Sequence, residues 1–248
     1  MRTVQSIPAD HDRAVAVVGA IQSGDVAGLQ QQLDDDAELA RARIVDRRGV
    51  SRTLLHIVSD WPGHFPNAPQ TVATLVAAGA DVDAAVLHTR SDGPPETALH
   101  WAASSDDVAV LDALLDGGAE IEAPGAVFTG GPPMSDAVVF AQWRAAQRLL
   151  ERGATTNVWQ AAALGLLESV QEHVSRQPPP SDEQITNSFW HACRGGQRAV
   201  AEYLFDSGAN LNWIGHDGKT PLDVALESGG NELVQWLESR GAKSAAKS

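Results

Sequence analysis

Three groups of residues could do chemistry on type and spacing alone. His56, Asp60 and His64 stand four residues apart, and on an unbroken helix that spacing would present two imidazoles and a carboxylate on one face as metal ligands. Pro62 and Gly63 lie between the last two, and that pair ends a helix, so no metal is expected there. Cys193 follows His191 by two positions, which suggests a thiol nucleophile beside its base. Residues two apart on a helix point in different directions, so a packed, inert thiol is the better expectation. Asp136 and His191 are the remaining acid and base, with hydrolysis, dehydration or isomerisation as the reactions they could serve. No Gly-x-Ser-x-Gly, phosphate-cradling glycine loop or dinucleotide fingerprint stands in a suitable context, and no cofactor is expected.

Composition narrows the classes. The 248 residues are 43% apolar and 5% aromatic, with 18 basic against 32 acidic side chains and a formal charge of −14. An acidic surface repels phosphate, which argues against nucleic acid and against anionic membrane as partners. There is no apolar run of the roughly 18 residues that a membrane-spanning helix needs. The first dozen residues lack the apolar core of a signal peptide, so a soluble, cytoplasmic protein is expected. A single cysteine leaves no internal disulfide. Arginine far outnumbers lysine and alanine is abundant, a bias that suggests a GC-rich, bacterial genome.

The elements that must position these groups are repeated. Gly-Ala followed by a polar residue recurs at Gly79, Gly118, Gly153, Gly208 and Gly241. An apolar stretch at helical spacing precedes each copy, such as Leu111, Leu114 and Leu115 before Gly118. The glycine fits the helix C-terminus, where positive φ is wanted. A second anchor opens a helix of small residues upstream: Thr53-Leu54-Leu55-His56, Thr97-Ala98-Leu99-His100 and Thr220-Pro221-Leu222-Asp223. Threonine suits the N-cap and proline the first turn.

This two-anchor pattern resembles the ankyrin repeat, with its Thr-Pro-Leu-His-x-Ala phrase and period of about 33 residues. The resemblance implies an all-α fold, a solenoid of about seven helix-turn-helix repeats over residues 14–243 with projecting β-hairpin-like fingers. Residues 1–248 would form a single domain, with a frayed polar tail from 243 to 248. Five helix pairs are clear; two, at residues 14–36 and around 161–177, are degenerate. The resemblance also implies that His56 and His100 hydrogen-bond within their turns, that Trp159 and Trp190 fill the interior where that histidine is missing, and that Cys193 takes a small packing position. Trp143 and Trp236 would face neighbouring repeats from second helices.

The residue after the motif histidine lines the concave groove in this family. Here that position reads Gly19, Ile57, Trp101, Asp136, Gln160, His191 and Val224, with Arg194 one turn beyond His191. At about 10 Å per packed layer, Asp136 and His191 would be roughly 20 Å apart, two ends of a bound ligand rather than a coupled pair. The insertion Trp61-Pro62-Gly63-His64-Phe65-Pro66 and the lengthened fingers could wall part of the groove, and Trp213 stands on a finger as an exposed contact. Arg41, Arg43, Arg47, Arg48 and Arg52 form a basic loop, read first as a solvated finger. Two functions compete. The first is a module that recognises a protein partner through Trp61, His64, Trp101, Asp136, Gln160, His191, Arg194 and Trp213. The second is an enzyme or binder holding a small-molecule ligand in the central groove, with Asp136 and His191 as catalytic groups.

Overall fold

The computed structural model describes residues 5–88 and 92–245. Fourteen α-helices occur among them in seven consecutive pairs: α1 (Asp12–Ser23) and α2 (Val26–Asp35), α3 (Leu54–Ser59) and α4 (Ala68–Ala77), α5 (Ala98–Ser104) and α6 (Val108–Asp116), α7 (Pro133–Val139) and α8 (Trp143–Glu151), α9 (Val158–Ala163) and α10 (Leu167–Val174), α11 (Asp182–Arg194) and α12 (Arg198–Asp206), α13 (Pro221–Ser228) and α14 (Asn231–Ser239). The all-α repeat architecture implied by the sequence is the one observed, and both degenerate pairs are present as α1–α2 and α9–α10.

Contacts divide the chain into two compact units, residues 1–154 and 155–248. In the first, α1, α3, α5 and α7 pack in succession, as do α2, α4, α6 and α8. In the second, α11 packs against both α9 and α13, and α10 touches α12. Short first helices of small residues make this stacking close. Ala102 and Ala103 on α5 and Ala161, Ala162 and Ala163 on α9 are buried, and side chains of that size let helix backbones approach. The second helices carry the larger apolar residues, such as Leu111 and Leu114 on α6 and Leu149 on α8, all fully buried. Every Gly-Ala glycine adopts positive φ, as helix termination there requires.

The motif histidines tie successive pairs together. Thr53 Oγ1 lies 2.8 Å from His56 Nδ1, and His56 Nε2 lies 3.0 Å from the Glu96 carbonyl. His100 repeats this with Thr97 (3.0 Å) and the Gly131 carbonyl (3.2 Å). A carbonyl only accepts, so Nε2 carries a proton, and Nδ1 accepts the threonine backbone N–H at 3.4 Å in His56 and 3.1 Å in His100, so each imidazole is neutral. Burial holds both histidines down to about 4. Trp190 takes the same role in the second unit, its indole N–H donating to the Lys219 carbonyl at 3.0 Å. Glu96 and Lys219 each immediately precede a threonine that caps the next first helix.

A four-stranded sheet flanks the first unit. β2 (Arg43–Val45) and β3 (Val50–Thr53) form an antiparallel finger, which β4 (Leu87–His88) extends antiparallel to β3. β1 (Ser6–Pro8) pairs parallel to β2 from before the first helix, a strand the sequence did not announce. The basic loop is partly consumed here: Arg41 donates to the Gly79 carbonyl, Arg43 to the carbonyls of Ser51 and Ala85, and Arg52 pairs with Asp60. In the tail, Lys243 N–H donates to Asn212, and Ala245 N–H donates to Asp223 Oδ2, the oxygen that also accepts from Thr220 at the start of α13. Residues 246–248 of that tail lie outside the described residues.

Candidate functional site

In the first unit, α3 ends at Ser59, and the expected Trp61–Pro66 insertion turns away from it through positive-φ residues Gly63 and His64. Asp107 holds this loop. Its carboxylate accepts the His64 backbone N–H at 2.6 Å while also capping α6 through Val110 N–H at 3.2 Å. Asp107 is itself buried, so the anchor is well fixed. The loop presents Trp61, 81% exposed. His64 stays exposed with its ring 3.7 Å from Asp107.

Trp61 forms one side of an open cavity of about 440 Å³, whose other walls include Trp101, Phe140, Val127, Asp60 and Glu96. Trp101 stands edge-on to the His56 ring at 4.9 Å, and its indole N–H donates to the Glu96 carboxylate. Phe140 is 41% exposed and stacks obliquely with Phe128, itself 72% exposed, at 5.9 Å. Exposed aromatic rings of this size are uncommon on a soluble surface unless something covers them. Partial burial raises the carboxyls of both Asp60 and Glu96. Asp60 has Arg52 as a partner at 2.7 Å, whereas among the described residues no Lys or Arg pairs with Glu96.

Asp136 lies behind this wall. It occupies the same helical position on α7 as Trp101 on α5, four residues past the N-cap, yet only 1% of it is exposed. Oδ1 accepts the Val127 N–H at 3.2 Å and Oδ2 is buried without a partner. The finger carrying Val127 thus covers a side chain expected to face the groove. Burial first, and the neighbouring Glu96 charge second, push its carboxyl up to about 7.

The second unit gathers a different set. His191 packs against Trp159 at 4.7 Å, Trp190 at 5.0 Å and His216 at 5.9 Å. Trp213 meets His216 edge-on at 5.8 Å, and the Arg194 guanidinium lies 5.7 Å from the Trp190 ring centre. Gly215 makes this possible, since a Cβ there would overlap Trp213 and Trp190. His191 is buried, its Nδ1 lacks a partner, and desolvation depresses it to about 3. Such an imidazole stays neutral and is a poor base.

Gln160 is buried rather than groove-lining. Its side chain accepts the Asn157 N–H at 2.9 Å while Asn157 accepts the Gln160 N–H at 3.1 Å, a reciprocal cap. Gln160 therefore does the capping that His56 and His100 do elsewhere. The Asn157-x-x-Gln160 spacing carried that signal. Trp159, expected inside, is instead half-buried against His191. Trp236 does face its neighbour, edge-on to Phe205 at 5.6 Å. Cys193 is fully buried, and burial pushes its thiol up. The residues that sequence reasoning missed are Glu96 and Phe128, which lie just outside the repeating phrases.

Paired short helices, capped by threonine and closed by glycine, beside a lateral groove define a stacked-repeat scaffold. Residues 158–248 match the family model for three copies of the ankyrin repeat and residues 95–123 match that for a single copy. The chain belongs to the ankyrin-repeat family. It is 30% identical over 183 residues to the ankyrin repeat and KH domain-containing protein CBG24701 of Caenorhabditis briggsae, covering 70% of this chain and 7% of that one. Over 92 residues it is 35% identical to the E3 ubiquitin-protein ligase Ufd4 of Drosophila melanogaster, covering 36% of this chain and 3% of that one. The chain thus spans a small fraction of these curated relatives, which are eukaryotic. The crystal structure of the human ASB11 ankyrin repeat domain superposes with a TM-score of 0.51 at 19% identity, covering 89% of this chain and 96% of that one, a likeness of fold. Among the described residues no helix is long and apolar enough to cross a membrane.

Proposed function

We propose that the chain is a binding module that recognises a protein partner, with the Trp61–Trp101 cavity as its principal contact surface. The observation that carries this reading is the concentration of Trp61, Trp101 and Phe140 around one open recess, with exposed Phe128 packed beside Phe140. Aromatic residues dominate the energetics of protein interfaces, and a rigid loop loses little entropy when its tryptophan is covered. Trp213, half-exposed on a finger of the second unit, is a further contact candidate. The acid–base chemistry considered for Asp136 and His191 has no such support: both are buried, and neither lines the recess.

Affinity capture with the full chain tests the proposal. Trp61→Ala and Trp101→Ala should each lose polypeptides that the unaltered chain retains, with unchanged far-ultraviolet circular dichroism. Identical capture by all three proteins would remove this surface from the function.

A further inference from the structure

Resting on that reading, we propose that the recess between Trp61 and Trp101 receives an arginine side chain of the partner, its guanidinium against an indole face and its N–H groups directed to the Glu96 carboxylate. Three observations point the same way. The recess combines aromatic walls with two carboxylates, Asp60 and Glu96. Of these, Asp60 already faces Arg52, while Glu96 is bonded to the Trp101 indole N–H and, with the His88 ring nearby, has no Lys or Arg paired with it among the described residues. The chain as a whole carries a charge of −14, which draws basic segments toward it.

Arginine suits this geometry better than lysine. Its planar, weakly hydrated guanidinium stacks on aromatic faces and still offers donors at its edge, whereas an ammonium holds its water more tightly and presents a point charge. A carboxylate partly stripped of water gains most from a cation that is itself cheap to desolvate. Trp101 is held edge-on by His56, and the loop backbone that carries Trp61 is pinned by Asp107, so one indole and the support of the other are in place before any ligand arrives.

The test is selection of random twelve-residue displayed peptides on the full chain, followed by affinity measurements on synthetic copies. Arginine should be enriched at one position. Replacing it with glutamine should weaken binding at least tenfold to the unaltered protein and less than twofold to Glu96→Gln. Lysine at that position should bind more weakly than arginine. A consensus without arginine, failure to enrich any peptide, or an equal arginine-to-glutamine loss in both proteins would overturn the inference. Arginine-free peptides that nevertheless lose binding to Trp61→Ala would overturn it while leaving the contact surface intact. Selected peptides that bind Trp61→Ala and Trp101→Ala undiminished would remove both. Trp61 is largely exposed and glutamine is isosteric with glutamate, so these variants keep the fold.

Discussion

Asp136→Asn should make the protein more stable above neutral pH and leave it nearly unchanged only below about pH 4. The Asp136 carboxyl is raised from 3.8 to about 7 in the folded chain, so between those values the native state holds a proton that the unfolded state has released. Stability is therefore fully present below the unfolded pKa and is lost as pH rises through the folded one. Each pH unit in that window costs about 1.4 kcal/mol, or about 4 kcal/mol, as an upper bound, by pH 8. Asparagine keeps the acceptor for Val127 N–H and carries no charge at any pH. Buried His56, His100 and His191, lowered to about 4, 4 and 3, have the opposite sign: their contribution is present above the unfolded value of 6.5 and is lost as pH falls. They are common to both proteins and cancel in the difference. Urea unfolding at half-unit steps from pH 4.5 to 8.5 would follow it. The variant's advantage should grow through pH 5 to 7 and plateau near 8, reaching a few kcal/mol and raising Tm by roughly 5–12 °C. A difference that is flat with pH would refute the assignment of Asp136 as a buried, unpaired carboxyl.

Ala141 joins α7 to α8 at φ 56°, where a Cβ costs about 1–2 kcal/mol against glycine's extra unfolded-chain entropy of about 0.4–1 kcal/mol. Ala141→Gly should therefore raise Tm by roughly 2 °C in a thermal melt. Gly24 has φ 70°, and a Cβ there would overlap the Pro66 carbonyl. Gly24→Ala should destabilise by about 2–3 kcal/mol in urea titration, and a neutral result would mean that the approach of the 61–66 loop is misplaced. Asp107→Ala removes both the α6 cap and the loop anchor. It should cost about 1–2 kcal/mol in urea titration and speed hydrogen exchange of the His64 backbone N–H, whereas unchanged exchange would deny the anchoring role.

The repeat architecture was legible because its signals are local. A glycine closing five of the seven second helices and a Thr-x-x-His opening two first helices are read within a few residues, and so is the packing role of Cys193. The bonds of His56 and His100 to the threonines of their own turns also followed from the repeat phrase, as did Trp190 standing in for a histidine, whereas the histidines' bonds to the Glu96 and Gly131 carbonyls did not. What escaped the sequence depends on longer range. The three residues of β1 pair with a strand some 37 positions later, too short a segment to show a pattern of its own. Asp136 occupies a position that faces the groove on α5, but the finger bearing Val127 closes over it, and nothing in the helix's own sequence says so. Gln160 was misplaced by a single residue, which on a helix turns a groove residue into a capping one. Glu96 sits between two better-defined phrases and acquires meaning only when Trp101 donates to its carboxylate.

The claim that the Trp61–Trp101 recess is the binding surface is tested most directly by the affinity of one selected peptide for the unaltered chain and for Trp101→Ala, measured side by side by fluorescence anisotropy. Loss of a central aromatic contact of at least 2 kcal/mol corresponds to about a 30-fold weaker Kd, and that is the expected result. Equal affinities, with the variant folded, would contradict the account.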